Sequence, residues 1–357
     1  MILFFVGLDW SQDRKPKGND DRIYRYFYGW DSGWYGHIAQ HGYTDPLFID
    51  GKYQSHLAFY PLYPLTTRAV SSAFGLSIPN AAVLNANLFH LLALVLFAWY
   101  CWIRSESWRT TRDATWLFAF CPQGIVFACG YTESLFVLLT LAALLSFEAG
   151  RYYRASLFSA LLTAVRSNGL FILVYYGYEL AKDAWTSWRE RRPLLDYLQE
   201  NSAKLLPAIF TPLGLFLFWH YSFAVSGDAF AQKSTASYGW SREMGLPFHV
   251  FPKFFAGSAN ALYATIGSLL IFGASFTLLS QKLYKDFAYC LANFLLFYSA
   301  SIYDSMLRYS IALFPIYLGL ALFVKARPRG RIALFATFAA AFLFTAYAWY
   351  ERLSISI

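Results

Sequence analysis

Apolar runs follow one another along the chain, near residues 57–75, 80–103, 114–129, 131–149, 155–180, 205–225, 259–280, 287–303, 309–324 and 332–350. A helix needs about 20 residues to cross a bilayer core about 30 Å thick. The runs 80–103 and 259–280 reach that length, and several others fall short. Two contain breakers in mid-run: Pro122 in 114–129, and Arg166-Ser167-Asn168-Gly169 in 155–180. Freed backbone at membrane depth is tolerated only against protein or a water-filled cavity. The breaks therefore predict half-length helices around a polar interior. Residues 1–8 are apolar but short, and read as the last two turns of a first helix, either cut short or preceded by a misassigned start. No internal repeat is visible, which weighs against an inverted-repeat transporter.

The loops between the runs set the orientation. Those at 104–113, 150–154, 181–204, 281–286 and 325–331 hold 16 Lys and Arg in 52 residues, whereas the segment 9–56 holds six in 48. Positive residues gather on the cytoplasmic side, so the first group is assigned to the cytoplasm, and 9–56 and 226–258 to the outer face. Connectivity then makes 114–129 and 131–149 an up-and-down pair turning at Gly130-Tyr131. It makes 155–180 two half-helices meeting at Arg166 to Gly169. The run 57–75, with Pro61 and Pro64, lies along or re-enters the outer face.

Composition agrees. Charged residues are 14% of the 357 and hydrophobic residues 57%, against about 25% charged in a soluble domain. The chain is read as one all-α polytopic membrane domain over residues 1–357. Its net charge of +8 belongs to the cytoplasmic loops, so no nucleic-acid partner is expected. Four cysteines, Cys101, Cys121, Cys129 and Cys290, all lie in apolar runs and read as small core residues.

One long stretch fits neither membrane nor plain solvated loop. Between Tyr28 and Pro64, Trp30, Trp34, Tyr35, Tyr43, Tyr53, Phe59, Tyr60 and Tyr63 alternate with Asp31, His37, His41, Asp45, Asp50 and His56. An interfacial aromatic belt with ordinary surface acids is one reading. A site for a polar, ring-shaped ligand is the other. The topology places Asp31, His56, Tyr131, Glu133, Arg166, Asn168, Asp228, Asp304 and Arg308 at or near the same outer surface. Charges at mid-bilayer cost about 2.5–3.5 kcal/mol each, so these are expected to share one polar cavity under the aromatic segment. Structural pairing, Arg166 with Glu133 or Asp304 with Arg308, is the alternative. An acid there can take a proton from an acceptor hydroxyl, and arginine forks match phosphate oxygens. No G-x-x-x-x-G-K-[ST] or strand-borne G-x-G-x-x-G is present, so a soluble nucleotide is not the evident donor. His37 and His41 lack a convincing third metal ligand, and no metal is assigned.

At these residues the chain resembles a known family. Trp30-Asp31, Ile38-Ala39, His41-Gly42-Tyr43 and Ala58-Phe59-Tyr60-Pro61-Leu62-Tyr63-Pro64 look like the signature of the second GPI mannosyltransferase family, among the C-type membrane glycosyltransferases. Cys121-Pro122, Gly130-Tyr131-Thr132-Glu133-Ser134-Leu135-Phe136, Arg166-Ser167-Asn168-Gly169 and Ser305-Met306-Leu307-Arg308-Tyr309 continue the match in family order. The resemblance implies a C-type helical bundle with a large first extracytoplasmic loop and broken half-helices. It also implies a polyprenyl-phosphate-linked mannose as donor, a glycolipid or glycan hydroxyl as acceptor, and inversion to an α-linked product. No cofactor besides the lipid-linked donor is implied. The family's catalytic acid corresponds to Asp31, with Asp9 as the rival carboxylate. On this reading Arg166 and Arg308 hold the donor phosphate. Trp30, Trp34, Tyr60 and Tyr131 form stacking walls, and His56, Glu133, Asn168 and Asp228 meet sugar hydroxyls. The chain's length and the absence of an N-x-[ST] acceptor point to a prokaryotic relative in the plasma membrane; a eukaryotic one would reside in the endoplasmic reticulum. A flippase of lipid-linked sugars, or a non-catalytic partner subunit, would share the same aromatic and arginine inventory.

Overall fold

The computed structural model describes residues 26–44, 47–49, 52–249, 259–300 and 305–351. The first-helix remnant, Asp9, Asp20, Asp21, Asp45, Asp50, Tyr303 and Asp304 lie outside the described residues.

The first elements among the described residues are α1 (Asp31–His41), a hairpin of β1 (Leu47–Ile49) and β2 (Lys52–Gln54) paired antiparallel, and α2 (Leu62–Phe74). Then come α3 (Ile78–Ser105), α4 (Trp108–Ala119), α5 (Glu133–Glu148), α6 (Tyr152–Thr163), α7 (Leu173–Arg189) and α8 (Leu194–Glu200). The remainder is α9 (Ser202–Phe210), α10 (Leu213–Ser226), α11 (Ala231–Trp240), α12 (Ala259–Ser280), α13 (Tyr284–Ser299), α14 (Met306–Ile311), α15 (Pro315–Val324) and α16 (Pro328–Tyr350). The expected all-α polytopic architecture holds; the hairpin is the one sheet among the described residues.

Four stretches are long and apolar enough to cross a membrane: Ile78–Ser105, Ser202–Ser226, Leu262–Ser280 and Pro328–Tyr350. The longest, α3, has 28 residues, about 42 Å of helix. Pro79 sits in its first turn, where no backbone donor is lost. Ser202–Ser226 is two helices separated by Thr211-Pro212, and the Thr163 hydroxyl repairs the gap. It donates to the Thr211 carbonyl (2.7 Å) and accepts from Leu215 N (3.3 Å), two groups a continuous helix would have paired directly. Gly214 lets α6 and α10 touch there, because a Cβ would fall 2.1 Å from the Ala160 carbonyl oxygen. At 13 residues, α2 is about 20 Å long, too short to cross.

The expected breaks are present. α4 stops at Ala119 before Pro122, a 3₁₀ turn follows at Gly124–Phe127, and α5 starts at Glu133. The 155–180 run divides into α6 and α7, with extended backbone at Arg166 (φ −159°, ψ 144°) and a 3₁₀ segment, Ser167–Ile172. Several expected loops differ. The segment 9–56 contains α1, 104–113 is mostly α3 and α4, 181–204 holds the end of α7 and α8, and 226–258 holds α11. Caps and one packed face suffice for such helices, and neither needs an apolar run: the Ser107 hydroxyl accepts from Thr110 N to start α4.

Ion pairs gather at both ends of the bundle. The Lys- and Arg-rich segments meet at one end through Arg104–Glu148, Lys285–Glu148, Lys285–Glu179, Arg331–Asp113 and Lys204–Asp183. Glu133 begins α5 and Glu148 ends it, so the Glu133 cluster lies about 22 Å away along the helix. Between the two is an aromatic core including Tyr63, Phe97, Phe118, Phe127, Tyr176 and Tyr317, all buried.

Candidate active site

α1 brings the first carboxylate. Trp30 precedes it with φ 48° and ψ −118°, a backbone that costs a non-glycine residue about 1–3 kcal/mol. Packing holds it there: the Trp30 ring lies edge-on to Trp349 (4.6 Å), and Trp349 Nε1 donates to the Tyr26 carbonyl. Asp31 then falls in the first turn, where the helix dipole favours an acid. The turn before α5 fits closely beneath it, since a Cβ on Gly130 would lie 3.2 Å from Ala82 Cβ and 3.3 Å from Ser32 Oγ.

The next three charges come from three separate breaks: Glu133 from the start of α5, Arg166 from the gap after α6, and Arg308 from the short α14. Glu133 Oε1 lies 2.8 Å from Arg166 Nη2 and 3.2 Å from Arg308 Nε. Arg308 Nη2 lies 2.8 Å from Asp31 Oδ2. The resulting chain of charges runs Arg166, Glu133, Arg308, Asp31. The Arg308 and Glu133 side chains are sealed at 2% and 1% exposure, while Asp31 keeps 27%. Asp31 is thus the carboxylate a substrate can reach.

Several buried polar atoms around this chain have no hydrogen-bond partner among the described residues. They are Glu133 Oε2, Arg308 Nη1, Ser32 Oγ, Tyr131 OH and Thr132 Oγ1, and Arg308 Nε meets Glu133 outside hydrogen-bond geometry. Buried polar groups are normally satisfied, and each orphan costs about 1–3 kcal/mol. Such a concentration is what a site for a polar ligand requires.

Aromatic rings wall the cluster. Arg308 lies over the Tyr131 ring (4.9 Å), and Tyr131 is edge-on to Trp349 (5.7 Å). One turn along α1 from Asp31, Trp34 stacks on Phe59 (5.5 Å, 13°) and meets His56 (5.1 Å) and Trp240 (5.4 Å) edge-on. His56 stacks on His37 (4.2 Å), and Thr44 Oγ1 lies 3.0 Å from its Nδ1. Burial first, then the charge of His37, pushes His56 down to about 4. Burial likewise lowers His37, with His41 adding to it. His56 thus brings a third imidazole to His37 and His41, but as a stacked ring. No group of three that could hold a metal ion occurs among the described residues.

The structure brings together Asp31, Glu133, Arg166, Arg308, Tyr131 and Trp30, with Trp34 and His56 alongside. Three expected members lie elsewhere. Asp228 closes the turn that leads into α11, two residues before its N-cap Phe230, accepting from Phe230 N (2.8 Å) and Ser234 Oγ (2.7 Å) as a short acid in such a turn does. Asn168 ties the 3₁₀ segment to α13 through Asn293 Oδ1 (3.0 Å). Tyr60 packs on Phe218 (4.9 Å) in a separate apolar cluster with Leu215. Arg308 pairs with Asp31; the alternative pair of Arg308 with Asp304 falls outside the described residues.

Sequence reasoning passed over Arg242, Trp240 and the role of Tyr309. The Tyr309 hydroxyl accepts from Arg242 Nη1 (3.2 Å) and Arg308 Nη2 (3.3 Å), and its ring lies under Arg166 (4.7 Å). The signal was available: Trp240-Ser241-Arg242-Glu243 mixes aromatic and charged residues as the 28–64 stretch does.

Comparison with known proteins identifies the family. The human "GPI alpha-1,6-mannosyltransferase 2" is 29% identical over 232 residues, covering 60% of this chain and 45% of that protein. The mouse protein of the same name is 32% identical over 172 residues, covering 44% and 33%. The chain thus spans less than half the length of these relatives. The crystal structure of ArnT from Cupriavidus metallidurans bound to undecaprenyl phosphate shares the fold, with TM-score 0.55, 14% identity, and coverage of 92% of this chain and 69% of that one. The family described as "Mannosyltransferase (PIG-V)" matches residues 18–243, more than half of the chain, and this protein belongs to it.

Proposed function

We propose that the protein is an integral membrane mannosyltransferase. It moves mannose from a polyprenyl phosphate to a hydroxyl of a glycolipid or glycan at the extracytoplasmic face, with inversion to an α-linkage. The observation that carries this reading is the Asp31–Arg308 pair, an accessible carboxylate joined at 2.8 Å to a sealed guanidinium. The names of the mannosyltransferase relatives, and the undecaprenyl phosphate bound to ArnT, support the sugar and the lipid class.

The chemistry follows from the pairing. The Asp31 carboxylate takes the proton of the acceptor hydroxyl as that oxygen attacks the anomeric carbon. The bond from that carbon to the phosphate oxygen breaks on the opposite side, and its electron pair leaves with the phosphate, which gains one negative charge. Protonated Asp31 no longer neutralises Arg308, so the guanidinium turns toward the departing phosphate as the charge develops there. Glu133 holds Arg166 and Arg308 in place throughout. Trp30, Trp34 and Tyr131 shape the sugar and acceptor walls, and His56 backs Trp34. Residues 9–56 and 226–258 belong on the outer side, with the opposite ion-paired end in the cytoplasm.

Proteoliposomes test the donor. Purified protein with a glycolipid acceptor should transfer radiolabelled mannose from polyprenyl phosphate mannose, and should make no product from GDP-mannose alone. Robust transfer from GDP-mannose without a lipid carrier would sink the reading.

A further inference from the structure

Three guanidinium groups surround one phenol. The Cζ atoms of Arg166, Arg308 and Arg242 lie 4.7, 5.1 and 5.9 Å from the centroid of the Tyr309 ring. Two carboxylates serve them: Glu133 meets Arg166 and Arg308, and Asp31 meets Arg308. Among the described residues Arg242 has no carboxylate within 4.0 Å, and its side-chain hydrogen bond goes to the Tyr309 hydroxyl. Burial raises that phenol, but Arg242, Arg308 and Arg166 outweigh it and bring it down to about 7. While that phenol keeps its proton, the described members of the cluster carry one positive charge in excess. That charge sits on a half-buried arginine, whereas Arg308 is sealed. Like charges held this close favour an anion among them, and a phosphodiester brings one negative charge.

Arg242 is held in place before any ligand arrives. It follows Ser241, whose left-handed φ of 53° ends α11, and its amide bonds the Ala236 carbonyl. α11 is seated on the hairpin: Gln54 Nε2 donates to the Gly239 carbonyl (3.2 Å), and a Cβ on Gly239 would fall 2.8 Å from the Tyr53 carbonyl oxygen. Trp240, two residues earlier, closes the aromatic wall on Trp34. One short segment thus delivers a wall and a cation to the same site. An arginine fork fixed this way suits the planar array of phosphate oxygens.

We infer that Arg242, oriented by the Tyr309 hydroxyl, is the anchor of the donor phosphate. Arg166 and Arg308 stay neutralised until Asp31 takes its proton. The inference rests on the transferase reading above, but binding can be measured without turnover.

The experiment is binding of polyprenyl phosphate alone to purified protein, read by native mass spectrometry, for wild type, Arg242→Gln, Arg242→Lys and Tyr309→Phe. Arg242→Gln should weaken binding about ten- to a hundredfold, the scale of one lost charge-assisted contact. Arg242→Lys should recover part of the loss. Tyr309→Phe, which keeps the ring and removes the hydroxyl, should fall between. In transfer assays the donor KM should rise by the same factor, with the acceptor KM unmoved. Gly239→Ala, which forces α11 off the hairpin, should weaken the lipid phosphate in the same way through an unaltered Arg242. An affinity within about twofold of wild type in Arg242→Gln would overturn the inference. The transferase reading would still stand if wild type transferred mannose. Arg242-dependent binding by a protein that transfers nothing would keep the anchor and remove the transferase. No binding by wild type would overturn both.

Discussion

The two ends of α5 each carry a buried carboxylate cluster, and the clusters differ in what is left unsatisfied. At the Glu148 end, Asp286 is buried and its Oδ1 accepts from the hydroxyls of Tyr175 (2.7 Å) and Tyr100. Arg104 lies 3.7 Å from Asp286 Oδ2 and 2.7 Å from Glu148, and Lys285 bridges Glu148 and Glu179. A cavity of about 320 Å³ opens beside it; each acid lining it meets a cation, and Asp286 Oδ2 is left there without a hydrogen bond among the described residues. At the Glu133 end the orphans include Glu133 Oε2, Arg308 Nη1 and three hydroxyls, and both an acid and a cation there remain accessible. Buried ion pairs are common to both ends, so burial and pairing alone do not mark a site. A concentration of polar atoms unpartnered among the described residues, five around Glu133 and Arg308 beside a reachable carboxylate, does mark one.

The comparison breaks most sharply at its two aspartates. Asp31→Asn keeps the shape of the side chain but removes the base, and should lower single-turnover transfer about 10²- to 10⁴-fold. Asp286→Asn should do the reverse. It replaces a charged acceptor of two tyrosine hydroxyls by a neutral one, and should cost about 1–3 kcal/mol of stability, with turnover per folded molecule unchanged. Thermal unfolding in detergent and transfer at matched folded concentration separate the two. A mutant of Asp286 that loses turnover at unchanged stability would erase the distinction drawn between the ends.

The two clusters were also unequally legible in the sequence. The break at Arg166 to Gly169 could be read, because four polar or flexible residues interrupt an apolar run. Glu133, Arg166 and Arg308 could be placed on one face from the Lys and Arg distribution. Their connectivity could not. Arg308 pairs with a residue from the other end of the chain, and only the close fit of Gly130 under Ser32 fixes where that residue lies. α1 was invisible as a helix, since its 11 residues show no apolar stripe and its start depends on the irregular backbone of Trp30. Asp228 was ambiguous for the opposite reason. An acid in an outer segment fits a sugar site and a turn leading into a helix equally well until the helix is seen.

A smaller effect tests the aromatic wall. His56 is held down to about 4, from an ordinary 6.5, by burial first and by His37 next. For a base depressed in the fold, the unfolded chain binds more protons between these two values. Its contribution is harmless above about 6.5 and destabilises progressively as pH falls toward about 4. The unfolding midpoint of wild type should therefore drop faster across that window than that of His56→Gln, which cannot titrate there. Parallel curves would show that His56 is not the group that loosens this wall.

The smallest effect concerns Asp228, where two roles make opposite predictions. In the turn leading into α11 it uses both oxygens as acceptors, for Phe230 N and the Ser234 hydroxyl. An asparagine can keep both bonds, its amide oxygen accepting from Phe230 N and its amide nitrogen donating to Ser234 Oγ, so Asp228→Asn should leave stability near that of wild type. Asp228→Ala should cost about 1 kcal/mol, confined to α11 and visible as faster amide exchange over Ala231–Trp240. If the carboxylate instead bound a sugar hydroxyl, the order would invert: Asp228→Asn alone would lower kcat/KM about tenfold or more, as losing a charged hydrogen bond to substrate does. Equal kcat/KM for wild type and Asp228→Asn, with a stability loss only in Asp228→Ala, assigns the residue to the helix. Because α11 carries Arg242 at its end, Asp228→Ala should also raise the donor KM slightly. The rate deficit of Asp228→Ala should disappear at saturating donor, whereas losing a contact made to the sugar in the transition state would lower kcat itself.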